Sequence, residues 1–193
     1  MSALVKQSYE ASECMLYEQV MQHGQGDLNN QFLAVIIASW LSGKGALPKN
    51  LGLSASDYRS LLSHQFPGFR INNSFRKDEV FDKERMPEKD DVLKLFNVYR
   101  ANISISETWI AGIITAACLG SDHLWQDLGL WDRNQLSKLI SNNFPKLAEK
   151  NNKNMKWKKF IYKQLCNEEG IYTCRSPSCE VCADYDVCFG PEQ

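Results

Sequence analysis

Four cysteines stand within fifteen positions near the end of the chain, in CRSPSCEVCADYDVCFGPE, with the spacing Cys174-x4-Cys179-x2-Cys182-x5-Cys188. A C-x2-C pair puts two sulfurs on one tight turn, where both can face the same metal or cluster. The segments on either side are long enough to fold back and add one sulfur each. Pro177 stiffens the first of them, and Gly190-Pro191 stops the chain just after the last thiol. Four thiolates suffice for one tetrahedral zinc ion or one iron–sulfur cluster, and are too few for two clusters. Structural zinc sites usually draw their ligands as two short pairs. One close pair with longer arms favours a cluster, and zinc is the alternative.

The surroundings of these thiols exclude other roles. The chain has seven cysteines, an odd number, and its start, MSALVKQSYEASE, lacks the basic region and apolar stretch of a secretion signal. Both features argue against a disulfide framework and for a reducing, cytoplasmic setting. With 44% hydrophobic and 23% charged residues and a net charge of -1, the 193-residue chain reads as a globular protein with one core. It has no overall positive field that would attract nucleic acid. The apolar runs FLAVIIASWL and WIAGIITAACLG are too short to span a bilayer, so no membrane partner is expected.

The elements that must carry the cysteines read as helices. Residues 8–22 have apolar side chains at helical spacing, and Cys14 reads there as a packed helical residue. Asp27 is placed to cap QFLAVIIASWL, a segment apolar nearly all round that Gly43 would stop. Ser54 with Asp57, and Ser104 with Glu107, resemble capping boxes, and Asp132 is a third cap. Residues 76–91, RKDEVFDKERMPEKDD, mix charges of both signs and read as a solvated segment leading into DVLKLFNVYRA. The last helix, MKWKKFIYKQLCNEE, puts Trp157, Phe160, Ile161 and Leu165 on one side and Lys156, Lys159 and Lys163 on another, and Gly170 sits where a C-cap glycine belongs. No run of alternating β-branched residues calls for a sheet. The reading is all-α: a compact, bundle-like helical body over residues 1–169, then an irregular cysteine-rich loop over 170–193 that orders around its metal.

The segment NMKWKKFIYKQLCNEEGIYTCRSPSCEVCADYDVCFGPE, preceded by HLWQDLGLWDRNQLSKLISNNFPKLAEKN, resembles the C-terminal signature of the NifQ family, and the resemblance covers about residues 118–192. The four cysteines match the C-x4-C-x2-C-x5-C arrangement of that family position by position. The resemblance implies an iron–sulfur cluster able to include molybdenum, held by Cys174, Cys179, Cys182 and Cys188. It implies a donor of molybdenum to nitrogenase iron–molybdenum cofactor assembly rather than a turnover enzyme. The implied partners are the cofactor assembly scaffold and the nitrogenase iron protein, with molybdate or another molybdenum donor upstream.

Against that expectation, further residues acquire two readings each. Cys166 is either a fifth thiol for the cluster or for molybdenum, or a small packed residue beside Tyr162. His123 and Cys118, in AACLGSDHLWQD, are ligands for incoming molybdenum or a capping and a packing residue. The basic stretch from Lys150 to Lys163 either draws in molybdate or is an ordinary exposed face. Asp184 and Tyr185 could orient the loop through hydrogen bonds to sulfur, and Trp125 and Trp131 read as core or docking aromatics. Outside the cluster reading, an iron–sulfur electron carrier or sensor and a zinc-stapled interaction protein are the alternatives. The sequence has no GxxxxGK[ST] and no HExxH, which leaves nucleotide hydrolysis and metalloprotease chemistry without support.

Overall fold

Residues 3–70, 89–169 and 185–190 are described by the structure, a computed structural model. Ten α-helices lie among them: α1 (Ala3–Met21), α2 (Asn30–Leu41), α3 (Ala55–Gln65), α4 (Lys89–Val98), α5 (Ser106–Ala117), α6 (Leu124–Leu128), α7 (Arg133–Asn143), α8 (Pro145–Lys150), α9 (Trp157–Glu169) and α10 (Tyr185–Phe189). No strand occurs among the described residues, and the protein is all-α. Most of the charged run at 76–91, together with Cys174, Cys179, Cys182, Gly170 and Asp184, lies outside the described residues.

The segments that are apolar nearly all round become the centre. Both α2 and α5 bury almost every side chain, so neither has a solvent face. Around them, α1 lies along α2, α3 and α4 pack on α5, and α9 packs on α4. The core is continuous, with Leu33, Ile37, Phe96, Ile110, Ile114 and Phe144 all buried. Phe96 and Phe144 meet edge to face at 4.8 Å between ring centres.

Local capping starts two helices as the sequence predicts. The Ser54 hydroxyl accepts from the Asp57 N–H at 3.0 Å, and the Asp132 carboxylate accepts from the Gln135 N–H at 2.8 Å. Each bond satisfies a donor that the first helical turn leaves without a partner. Replacing Ser54 or Asp132 by Ala is expected to cost about 1 kcal/mol each. Thermal unfolding should register this as a fall of about 2–4 °C per substitution in a chain of this size.

Two capping expectations are corrected. Asp27 stands ahead of α2, and its carboxylate accepts from the Asn29 N–H at 2.8 Å and from the Ser104 hydroxyl at 2.6 Å. It therefore ties the entry of α2 to the entry of α5 instead of closing one helix. Glu107 accepts from the N–H groups of Asn102, Ile103 and Ser104 at 2.7–3.0 Å, but the Ser104 hydroxyl accepts from Ser106 N–H, not from Glu107. Only the glutamate half of that box forms, because α5 begins two residues after Ser104. Nearby, Asn29 and Asn143 exchange side-chain amide bonds at 2.7 and 2.8 Å across 114 positions of sequence.

Cys14 is exposed, which corrects the reading of it as packed. The inward face of α1 runs instead through Glu13, Tyr17 and Val20. Glu13 is buried and takes hydrogen bonds from Ser39, Lys44 and the Trp131 indole N–H. Burial by itself would raise its pKa, but the bonds from Lys44, Ser39 and Trp131 outweigh it and hold the carboxyl below the ordinary 4.5. A depressed folded pKa stabilises the protein above the unfolded value, and that contribution is lost as pH falls through the folded one. The stability gap between the natural chain and Glu13→Gln is therefore expected to be largest near neutral pH and to shrink below about pH 4.5. Urea unfolding at pH 7 and at pH 4 measures it.

Candidate metal centre

The last cysteine of the quartet is the one that the structure describes. Cys188 lies on α10, a single helical turn where an irregular loop is expected from the sequence. Asp186 occupies the first turn of α10, where a carboxylate suits the positive helix end. Gly190 follows the helix, and a Cβ there would come within 2.5 Å of the Asp186 carbonyl oxygen, so a side chain would push the chain off this turn. The turn is anchored to the body at the start of α9. Lys156 N–H donates to the Cys188 carbonyl at 2.8 Å, and Lys156 Nζ donates to the Asp186 carbonyl at 3.3 Å. Cys188 and Phe189 rest against the hydrophobic core, and the Cys188 thiol is half-buried and free of any disulfide.

Beside this turn is a cavity of about 490 Å³. Its wall includes Ser121, Asp122 and His123 from the turn before α6, Lys156 just ahead of α9, Lys159 from its first turn, and Val187 from α10. Three expectations that were separate in sequence thus meet in one place: His123, part of the basic stretch, and the residue next to the last cysteine. His123 precedes α6 and is half-buried, and its backbone N–H donates to the Gln126 side-chain oxygen at 3.2 Å.

The remaining candidates separate. Cys118 closes α5, is 5% exposed, and burial pushes its thiol up to about 12. The neighbouring Lys158 pulls that value down and Asp127 pulls it up, both as smaller effects. A thiol in that setting keeps its proton and presents no thiolate to solvent. Cys166 is half-buried on α9. The basic stretch is not one face: Lys150 contacts the Tyr99 hydroxyl, and Lys158 is paired with buried Asp127 and donates to the Gly120 carbonyl at 2.8 Å. Trp131 is 44% exposed and Trp125 packs against the core. Among the described residues, no three His, Cys, Asp or Glu side chains are grouped to hold a metal ion.

The Asp127–Lys158 pair is the feature that reading the sequence missed. It clamps α6 to α9 at the cavity, whose wall includes Lys158, and the turn at Gly120 closes over it. A Cβ on Gly120 would lie 2.3 Å from the Asp127 carboxyl carbon. The available signal was three lysines, Lys156, Lys158 and Lys159, around the start of a helix, where the dipole disfavours cations.

The donor set fits a cluster of iron and sulfide as far as Cys188 displays it. The residue is a free thiol, partly open, beside a cavity, on a turn whose backbone is tied to the body. Comparison with known proteins then supplies the relationship. The family NifQ matches residues 32–190, a span that contains all four cysteines. The chain belongs to the NifQ family. Protein NifQ of Azotobacter vinelandii is 41% identical over 184 residues, covering 90% of this chain and 93% of that protein. Protein NifQ of Rhodobacter capsulatus is 35% identical over 152 residues, covering 78% of this chain and 82% of its own length. A NifQ homolog of Sinorhizobium fredii is 38% identical over 149 residues, covering 77% of this chain and 64% of that protein. No solved structure matches the chain. Among the described residues, no helix is long and apolar enough to cross a membrane.

Proposed function

We propose that this NifQ-family protein carries molybdenum together with iron on sulfur ligands and donates it to assembly of the nitrogenase iron–molybdenum cofactor. Family membership carries the coarse part of this reading, a role in nitrogen fixation and in the biosynthesis of that cofactor. The observation that carries the finer part is the quartet Cys174, Cys179, Cys182 and Cys188 on one short segment, all within the span matched by the family. Thiolates are soft ligands that suit iron–sulfur clusters, and sulfide of such a cluster is in turn a soft ligand for a heterometal. On this reading the chain is a donor without turnover, acting in the cytoplasm, and its partners are the cofactor assembly scaffold and the nitrogenase iron protein. Three of the cysteines hold iron, and the fourth is free or faces molybdenum.

The test is metal content and electron paramagnetic resonance on protein purified without oxygen from molybdenum-supplied cells. Iron, acid-labile sulfide and molybdenum in one preparation are the expected result. Iron and sulfide without molybdenum would make the chain an electron carrier or sensor. One zinc per chain without sulfide would make the loop a structural staple.

A further inference from the structure

We infer that the cavity between the turn at Ser121–His123 and the start of α9 is a binding site for a tetrahedral divalent oxyanion, held by Lys156, Lys159 and His123. The inference rests on the molybdenum-carrier reading for the identity of the oxyanion, molybdate, and on the geometry for the site.

Three observations converge. First, Lys156, Lys158 and Lys159 crowd the start of α9, a 13-residue helix with no acidic residue in its first turn. Cations at the positive end of a helix are unfavourable, and proteins break such local rules chiefly at functional positions. Lys158 is compensated by Asp127, but no carboxylate among the described residues pairs with Lys156 or Lys159. An anion bound between them would relieve both the repulsion and the dipole. Second, these two lysines line a cavity rather than a convex surface, with His123 and Ser121 adding donors from another part of the chain. Third, the cavity adjoins the turn of Cys188. Lys156 lines it while its backbone N–H holds the carbonyl of Cys188, and Val187 forms part of the wall.

The donor types indicate the ligand class. Among the described residues no arginine lines the cavity, so none of them offers the flat two-pronged recognition of a carboxylate. Ammonium groups are compact charges with three rotatable donors each, which suits an oxyanion with no preferred plane. The Asp122 carboxylate also lines the cavity and opposes the anion, but its residue is exposed and its field is screened by salt.

The experiment is equilibrium dialysis of molybdate, with tungstate as competitor, against the full chain purified without oxygen from molybdenum-starved cells. The natural chain is expected to bind molybdate, to release it to tungstate, and to bind less tightly as salt rises. Lys156→Gln/Lys159→Gln should weaken binding by about tenfold or more, the effect of losing charged hydrogen bonds, with iron, labile sulfide and helix content unchanged. Cys182→Ser should still bind the oxyanion, because the cavity does not use the thiol. Lys138→Gln/Lys146→Gln, the same charge change at exposed positions on α7 and α8, should leave affinity unchanged. Unchanged binding in Lys156→Gln/Lys159→Gln, an equal loss in Lys138→Gln/Lys146→Gln, or loss in Cys182→Ser would each overturn the site. None of these outcomes bears on the carrier reading, which fails separately if protein from molybdenum-supplied cells contains no molybdenum.

Discussion

In a Cys182→Ser chain purified without oxygen, iron, acid-labile sulfide and molybdenum are all expected to fall to background, while the helical content stays that of the natural protein. Cys182 belongs to the C-x2-C pair, whose two sulfurs share one turn and so have least freedom to be replaced by a neighbour. A serine hydroxyl keeps its proton near neutral pH and is a hard donor, so it replaces neither the charge nor the softness of a thiolate. The loss should exceed the roughly 10–100-fold that removal of an outer-shell partner of a metal site brings. Helical content is insulated because the core is built from α2, α5 and the helices around them, all drawn from residues 3–169. Cys188→Ser should behave alike, since the bond that anchors its turn is made by the backbone carbonyl, not by sulfur. Cys118→Ser is the contrasting case: its buried, protonated thiol predicts full metal content. Cys166→Ser decides between its two readings, because iron retained with molybdenum lowered marks a thiol on the molybdenum side. If Cys179→Ser, Cys182→Ser and Cys188→Ser all kept natural iron and molybdenum, the assignment of the quartet as ligands would be wrong.

The second large effect is structural. Replacing Asp127 by Ala strands the Lys158 ammonium, whose side chain is only 18% exposed, in the cavity wall. Removing one partner of a buried ion pair costs about 3–5 kcal/mol, because the other charge is left without its compensation. For a chain of this length the melting point should drop by about 10 °C, at about 2–4 °C per kcal/mol. The double change Asp127→Leu/Lys158→Met should recover most of that loss, since two apolar groups of similar size need no partner. Circular dichroism melts of Asp127→Leu, Lys158→Met and the double variant give the coupling directly. Additive losses in the double variant would show that the two residues do not support each other. The pair joins α6 to the first turn of α9, so Asp127→Ala should also loosen the wall that carries His123 against the wall that carries Lys159. Reduced oxyanion affinity in Asp127→Ala, restored in the double variant, would separate this positioning role from a direct one.

Much of the local structure was legible because its causes act over a few residues. The 3.6-residue apolar period of MKWKKFIYKQL put Trp157, Phe160, Ile161 and Leu165 on the buried side of α9, where the structure has them. Ser54 and Asp132 cap because each side chain reaches an N–H three residues on. The cysteine spacing is likewise a local fact, and it carries the family resemblance. Asp27 was misjudged for the complementary reason. Two of its donors, Ser104 and Ser106, lie 77 and 79 positions away, and no local rule selects them. Cys14 was misplaced because the inward face of a helix depends on what packs against it, and here Glu13 turns inward to meet Ser39, Lys44 and Trp131.

What the sequence by itself determined, then, is an all-helical chain that ends in a four-thiol segment of the NifQ pattern. What only the tertiary structure decided is the company that segment keeps. His123 and Lys159 stand 36 positions apart in the chain, yet they share one cavity beside the turn of Cys188. Period and capping bind residues within about one helical turn of each other. Bringing α6, α9 and α10 to one place depends on how their buried faces fit, and on a single ion pair, Asp127 with Lys158, that holds two of those helices together.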